Sequence, residues 1–481
     1  MKRRYLLGLL IVFVVANLVS TFWQNYQLPL DGDLVAIVLP ASWYEPVLHD
    51  PFGLAVLTKQ AVYAGPNRFF AHATLGLYWK QMPHLLQVVM SPISSLYAAS
   101  ALFTTVTVAL LLFTLAAYVQ LSGLGTRARW GLWLAAALMV PLFHTEGFYE
   151  QIGISNRAIT YTTFYAFPMA LLLLLWPFYE AAHRRQPLRV SPLRATLLVL
   201  LMVVIAFNGP IPVAVVAVVL LGIGLYWLSL HWGAAPRRLT LFPDPNGWLS
   251  GQAILLLAVL AGLCAYSLYI GRYNIENTHT HTLKELYALL PKGVYQQLTY
   301  DWGLPLLLFV VVVNSRLIHW FVPASDERQR ILRILRWITV FAVLYTLLLP
   351  FGGYRSYRPY LVRNDSILPV LLGIIFAYGL TTYFLLFRLR GYARGIYLAL
   401  ILVLSGTFLY VDKFTAKAPD NGCERWSMDQ MARSPEPIVH ISDRCNVLTW
   451  DAKHDPNETE LEVKMLQHWN VVPPKVKRYY Q

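Results

Sequence analysis

Four groups of residues carry side chains whose types and spacing fit chemistry. Leu30-Asp31-Gly32-Asp33-Leu34 sets two carboxylates on either side of a glycine. Such a pair can share a cation or divide into a general base and a structural acid. The plain alternative is a surface turn, the commonest use of Asp and Gly together. Leu34 to Pro40 is apolar, which makes unpaired charge costly at that point. In Phe351-Gly-Gly-Tyr354-Arg355-Ser-Tyr357-Arg358-Pro-Tyr360-Leu-Val-Arg363-Asn364-Asp365, guanidinium forks alternate with phenols. Arg forks bind phosphate oxygens bidentately, and Tyr adds hydrogen bonds or packs a lipid chain; the alternative is an interfacial aromatic belt with snorkelling Arg. A third group, His144, Glu146, Glu150 and Arg157 running into Thr160–Thr163, fits the recognition of sugars or other polyols, or the cap of a helix starting near Thr160. In the fourth, His279 and His281 with Glu285, the i, i+2 spacing suits a metal only on a strand, so a polar loop is the expectation.

The elements that position these groups follow from composition. Of 481 residues, 57% are hydrophobic and 13% charged, about half the charge of a soluble chain. Apolar blocks long enough to cross roughly 30 Å of hydrocarbon as helices predict spans at 5–22, 92–119, 129–145, 161–181, 195–208, 211–231, 249–270, 303–321, 334–351, 366–387 and 395–412. A soluble enzyme, a disordered chain and a collagen-like fibre are excluded, and ten-residue alternation of the barrel kind is missing. Asn208-Gly209-Pro210 reads as a tight turn between two spans. Three Cys exclude a disulfide scaffold or a Cys-rich zinc site. No Walker loop, dinucleotide fingerprint, HExxH or Gly-x-Ser-x-Gly occurs.

The expected fold is therefore an all-α polytopic membrane protein of about eleven transmembrane helices, N-terminus inside and C-terminus outside. Arg127 and Arg129, Arg184, Arg185, Arg189 and Arg194, Arg237 and Arg238, Arg328 to Arg336, and Arg388 to Arg394 fall in alternate short loops, which places those loops inside. The net charge of +14 thus belongs to membrane topology and needs no nucleic-acid partner. The basic start at Lys2-Arg3-Arg4 reads as that of an uncleaved first span. A transmembrane domain, 1–412, contains a first outer loop at 23–91, in which residues 69–90 predict an interfacial helix with its aromatic face toward lipid. An outer tail or small subdomain, 413–481, holds Cys423 and Cys445 on the oxidising side, as a disulfide or as two thiols. All four groups lie on the outer side, while span interiors are nearly free of charge. A transport path would place ionisable residues at mid-depth.

A long first outer loop opening on acidic residues, an interfacial helix, about eleven spans and an outer C-terminal segment together resemble the GT-C superfamily of integral-membrane glycosyltransferases. Asp31-Gly32-Asp33 looks like that superfamily's acidic signature in the first outer loop. The resemblance implies a polyprenyl-phosphate sugar donor and transfer of the sugar to an outer hydroxyl on a lipid or polysaccharide acceptor. Asp31 or Asp33 would be the base, and Arg355, Arg358 or Arg363 would hold the lipid phosphate, with Tyr354 and Tyr357 beside them. His144, Glu146, Glu150 and Arg157 would line the acceptor side. A divalent cation is optional, since two Asp give too few ligands for a firm metal site. The implied location is a bacterial inner membrane with the site facing the periplasm or exterior. A rival reading is a transporter or flippase of a lipid-linked anionic substrate, and a third is an anchoring subunit working through its tail.

Overall fold

A computed structural model describes residues 2–124, 129–231, 247–277, 281–355, 358–442 and 444–481. Arg127, Arg237, Arg238, His279 and Tyr357 therefore lie outside the described residues. Among the described residues, eight helices are long and apolar enough to cross a membrane. A bent pair, Ile159–Leu173 and Trp176–Arg184 at 42°, and two shorter apolar helices, Trp130–Leu142 and Pro192–Ala206, occupy the other expected positions. The chain is an all-α polytopic membrane protein; the sole sheet among the described residues pairs Ile438–His440 with Arg478–Tyr480 in parallel.

The helix Leu368–Arg388 is the hub of the bundle, with 83% of its apolar window buried within the protein. It packs against Pro92–Leu124, Arg129–Met139, Gly303–Phe321 and Asp326–Leu348. The first helix, Lys2–Tyr26, has only 11% of its window covered and presents its apolar side chains outward, as suits a span facing lipid. Mid-bundle polar groups satisfy one another: the Asn314 amide donates to Thr381 and Thr382 (3.0 Å each), and Tyr397 donates back to its oxygen at 2.9 Å. At Asn208-Gly209-Pro210 the turn forms as expected. Gly209 takes φ +115°, a conformation closed to L side chains, and Pro210 opens the next helix, where its missing N–H costs nothing.

The outer parts fuse into one body. Pro92–Leu124, at about 1.5 Å per residue, is roughly 50 Å long and overshoots a bilayer. Its first turns, with Leu96, Tyr97 and Ala99, enter an outer core shared by Leu30, Leu34 and Val38 of the first loop and by Met428, Val447, Leu466 and Trp469 of the tail. The helix Phe69–Leu86 does not turn its aromatic face to lipid. Trp79 is fully buried against Trp469, ring centroids 5.5 Å apart, and accepts the Trp469 indole N–H on its carbonyl at 2.8 Å. Aliphatic residues, Leu77 and Leu85, occupy the exposed side instead. Cys423 and Cys445 are joined as a disulfide.

A buried carboxylate ties these segments together. Glu424 accepts from the Leu30 N–H (3.0 Å), the Tyr97 hydroxyl (2.8 Å) and the Leu448 N–H (3.2 Å). First loop, span and tail thus meet on one side chain. Burial raises its pKa from 4.5 to about 7, against the pull of those hydrogen bonds.

Candidate active site

Asp31 and Asp33 take different environments. The chain leaves the first helix at Tyr26 and turns so that Asp31 sits under the start of the helix at Ile159. Its carboxylate accepts the Thr160 N–H at 3.0 Å, the Thr160 hydroxyl, and the Asp33 N–H at 3.2 Å. The Thr160 N–H is one of the groups a helix N-terminus leaves without a partner, so Asp31 caps a helix from another part of the chain. Burial raises its pKa from 3.8 to about 6, the Thr160 bonds opposing and the Asp33 charge adding. Asp33 is half-buried and accepts the Trp450 indole N–H at 3.0 Å. The second carboxylate, not the first, is presented at the surface of the site.

Asp31 and Glu424 both hold protons more tightly folded than unfolded. The stability they contribute is complete below their unfolded values, 3.8 and 4.5, and is lost as pH rises through about 6 and 7. The protein in detergent should therefore melt higher at pH 5 than at pH 8. Glu424→Ala should flatten that slope and cost about 3 kcal/mol or more at pH 5, because two N–H groups and a phenol lose their acceptor. An unchanged slope in the variant would reject the assignment.

The Arg loop, between the helices Asp326–Leu348 and Leu368–Arg388, folds into two clusters in which one carboxylate serves two guanidiniums. In the first, Arg355 donates to Glu276 at 2.5 Å and Arg68 lies 3.6 Å from the same oxygen, while Tyr44 donates to the other oxygen at 2.9 Å. Burial pushes the Glu276 pKa up, but Arg68 and Arg355 outweigh it and the carboxylate is held below its ordinary range. His72, buried against Tyr44 and Phe164, is pushed down to about 3 by burial and by Arg68, so it stands neutral. In the second cluster, Arg363 grips Asp365 with a fork (3.0 and 3.3 Å) and Arg358 donates to it at 3.1 Å. Arg358 also donates to Tyr165 (3.2 Å) and Tyr161 (2.5 Å) and lies over the Tyr161 ring. Four guanidiniums face two carboxylates, leaving an excess of positive charge suited to an anion.

Contacts connect the second cluster to Asp33, and charge alone links it to the first. Trp450 bridges Asp33 and Tyr161, its ring centroid 6.3 Å from the latter, and Tyr161 meets Arg358. On the other side the Asp33 charge acts on the Tyr44 phenol, which bonds Glu276. A cleft of about 380 Å³ opens beside Arg358 and Arg363, lined also by Glu150, Tyr161, Tyr300 and Asp365. Two larger cavities, about 700 and 410 Å³, lie where the chain carries Arg184, Arg189 and Arg194, and Arg330 and Arg333. They are far in the fold from both Asp residues, at the opposite ends of the spans, and size alone does not make them the reacting site.

The remaining expected residues divide. Glu150 reaches the cleft. His144 and Glu146 are fully buried; Glu146 pairs with Arg157 at 2.9 Å and its N–H donates to Asp412, beside which the His144 ring lies. They brace the outer ends of helices and present no surface to a substrate. Arg157 lies over the ring of Tyr149, which lines the cleft. Tyr354 is buried with its ring 4.5 Å from that of His281 and tilted to it, and Glu285 forms the capping box of the helix Leu283–Thr299 with Thr282. Among the described residues no group of three His, Cys, Asp or Glu side chains gathers to hold a metal ion, so the donor set does not fit a divalent cation. Arg68, Glu276 and Trp450 escape sequence reading. Arg68 carried a signal, an Arg on the outer side against the charge bias. Glu276 and Trp450 are single residues with no pattern around them.

No protein-family model and no curated protein matches this chain. Among solved structures it is similar to the crystal structure of the Archaeoglobus fulgidus oligosaccharyltransferase in complex with Zn and sulfate, at 10% identity and a TM-score of 0.41. That alignment covers 97% of this chain and 62% of the other. Likeness that loose carries no argument about chemistry, which rests on the geometry above.

Proposed function

We propose that this protein is a membrane glycosyltransferase that moves a sugar from a polyprenyl-phosphate donor to an acceptor hydroxyl on a lipid or polysaccharide at the outer face of a bacterial inner membrane. The observation that carries the reading is the cluster in which Arg358 and Arg363 share Asp365, linked through Tyr161 and Trp450 to Asp33, with a second such cluster on Glu276. Asp33 accepts the proton of the acceptor hydroxyl as its oxygen attacks the anomeric carbon. The bond from that carbon to the phosphate oxygen breaks on the opposite face, configuration inverts, and the electron pair leaves with the lipid phosphate. Arg358 and Arg363, with Arg355 beside them, meet the charge that develops there. Their hydrogen bonds to Asp365, Glu276 and the two phenols fix them before substrate arrives, so little reorganisation is needed.

The transporter reading gains nothing from the polar groups of the bundle interior, where Asn314 bonds to Thr381, Thr382 and Tyr397. The test is reconstitution of the purified chain in proteoliposomes with polyprenyl phosphates carrying different sugars and a mixed lipid and polysaccharide acceptor. Release of free polyprenyl phosphate with one of them is the expected result. Movement of intact donor between leaflets without release would replace this reading with the flippase.

A further inference from the structure

Trp450 lies between the carboxylate and the guanidiniums, and it is 51% exposed. A tryptophan at a surface is common enough, but this one is held in place from several directions. The disulfide Cys423–Cys445 anchors the start of its segment. The Leu448 N–H is fixed by Glu424, the Val447 carbonyl by the Tyr479 hydroxyl at 2.6 Å, and the Trp450 carbonyl by Asn446 at 2.8 Å. Leu448 sits at φ +57°, a left-handed conformation rare for such a side chain. Below the ring, Gly32 leaves no space: a Cβ there would stand 2.5 Å from the Trp450 nitrogen and 2.7 Å from its ring. The side chain is fixed while part of its surface stays uncovered.

Sugar rings have faces of C–H groups and edges of hydroxyls, and the C–H face packs on a flat aromatic surface while the edge keeps its hydrogen bonds. Trp450 and Tyr161, their rings tilted by 42° to one another, form a bent shelf running from Asp33 to Arg358. In an in-line displacement the transferred sugar lies between the base and the leaving phosphate, which is the ground this shelf covers. We propose that Trp450, supplied by the tail, is the platform on which the ring of the transferred sugar stacks. The inference rests on the glycosyltransferase reading and adds to it a specificity-determining residue from the C-terminal segment.

The test measures binding to the full chain in nanodiscs. The probes are bare polyprenyl phosphate and the same lipid phosphate carrying a hexopyranose or a pentofuranose. Wild type should bind one glycosylated probe about tenfold more tightly than the bare one. Trp450→Ala should remove that increment and leave bare-phosphate affinity unchanged, Trp450→Phe should keep most of it, and Gly32→Ala should mimic Trp450→Ala by displacing the segment. Equal loss for both probes in Trp450→Ala, or an increment that survives it, would overturn the proposal. Arg358→Gln separates the two readings. If it leaves bare-phosphate binding intact, this cluster is not the phosphate site on which the glycosyltransferase reading rests; if it weakens that binding while wild type shows no sugar increment, the platform alone fails.

Discussion

Asp33→Asn should lower sugar transfer about a thousandfold, within the range expected for loss of a positioned general base, while donor affinity stays close to wild type. Asn matches Asp in size and still accepts the Trp450 indole N–H, so the shelf should keep its form. What it loses is the capacity to take a proton. Asp31→Asn offers the contrast. That side chain is sealed under Thr160 and Asn is itself a good helix cap, so transfer should fall far less. Single-turnover release of polyprenyl phosphate, with donor binding measured separately, distinguishes the two. A folded Asp31→Asn protein that is the more impaired would reverse the assignment.

Arg358→Gln should reduce turnover by about a hundredfold or more, the scale on which a positioned donor to developing negative charge acts. Lys should not rescue it. Arg358 reaches Asp365, Tyr165 and Tyr161 at once with a planar fork, and one ammonium on a flexible stem cannot reproduce that. Arg355→Gln should be milder, because Arg68 remains on Glu276. Thermal melting checks that the loop has held. Wild-type turnover in a well-folded Arg358→Gln protein would exclude this cluster as the phosphate site.

The eight long apolar helices were legible in the sequence because a bilayer demands length and apolarity together. The Arg loop was legible as a dense run of guanidiniums and phenols in a short segment between two apolar blocks. The helix Phe69–Leu86 forms as expected, but the direction of its aromatic face was misread because local composition cannot reveal a partner such as Trp469, about 390 residues away. His144 and Glu146 were expected at a surface since polar residues in a loop read that way, yet Asp412 and Arg157 draw them inward. The same limit hid Glu276 and Trp450, whose roles exist only once distant segments meet.

Asp33 and Trp450 are 417 positions apart. During synthesis the carboxylate emerges among the first segments, whereas its indole partner follows only after every intervening helix has been threaded. A half-made chain thus holds the carboxylate before the indole that will meet it has been made.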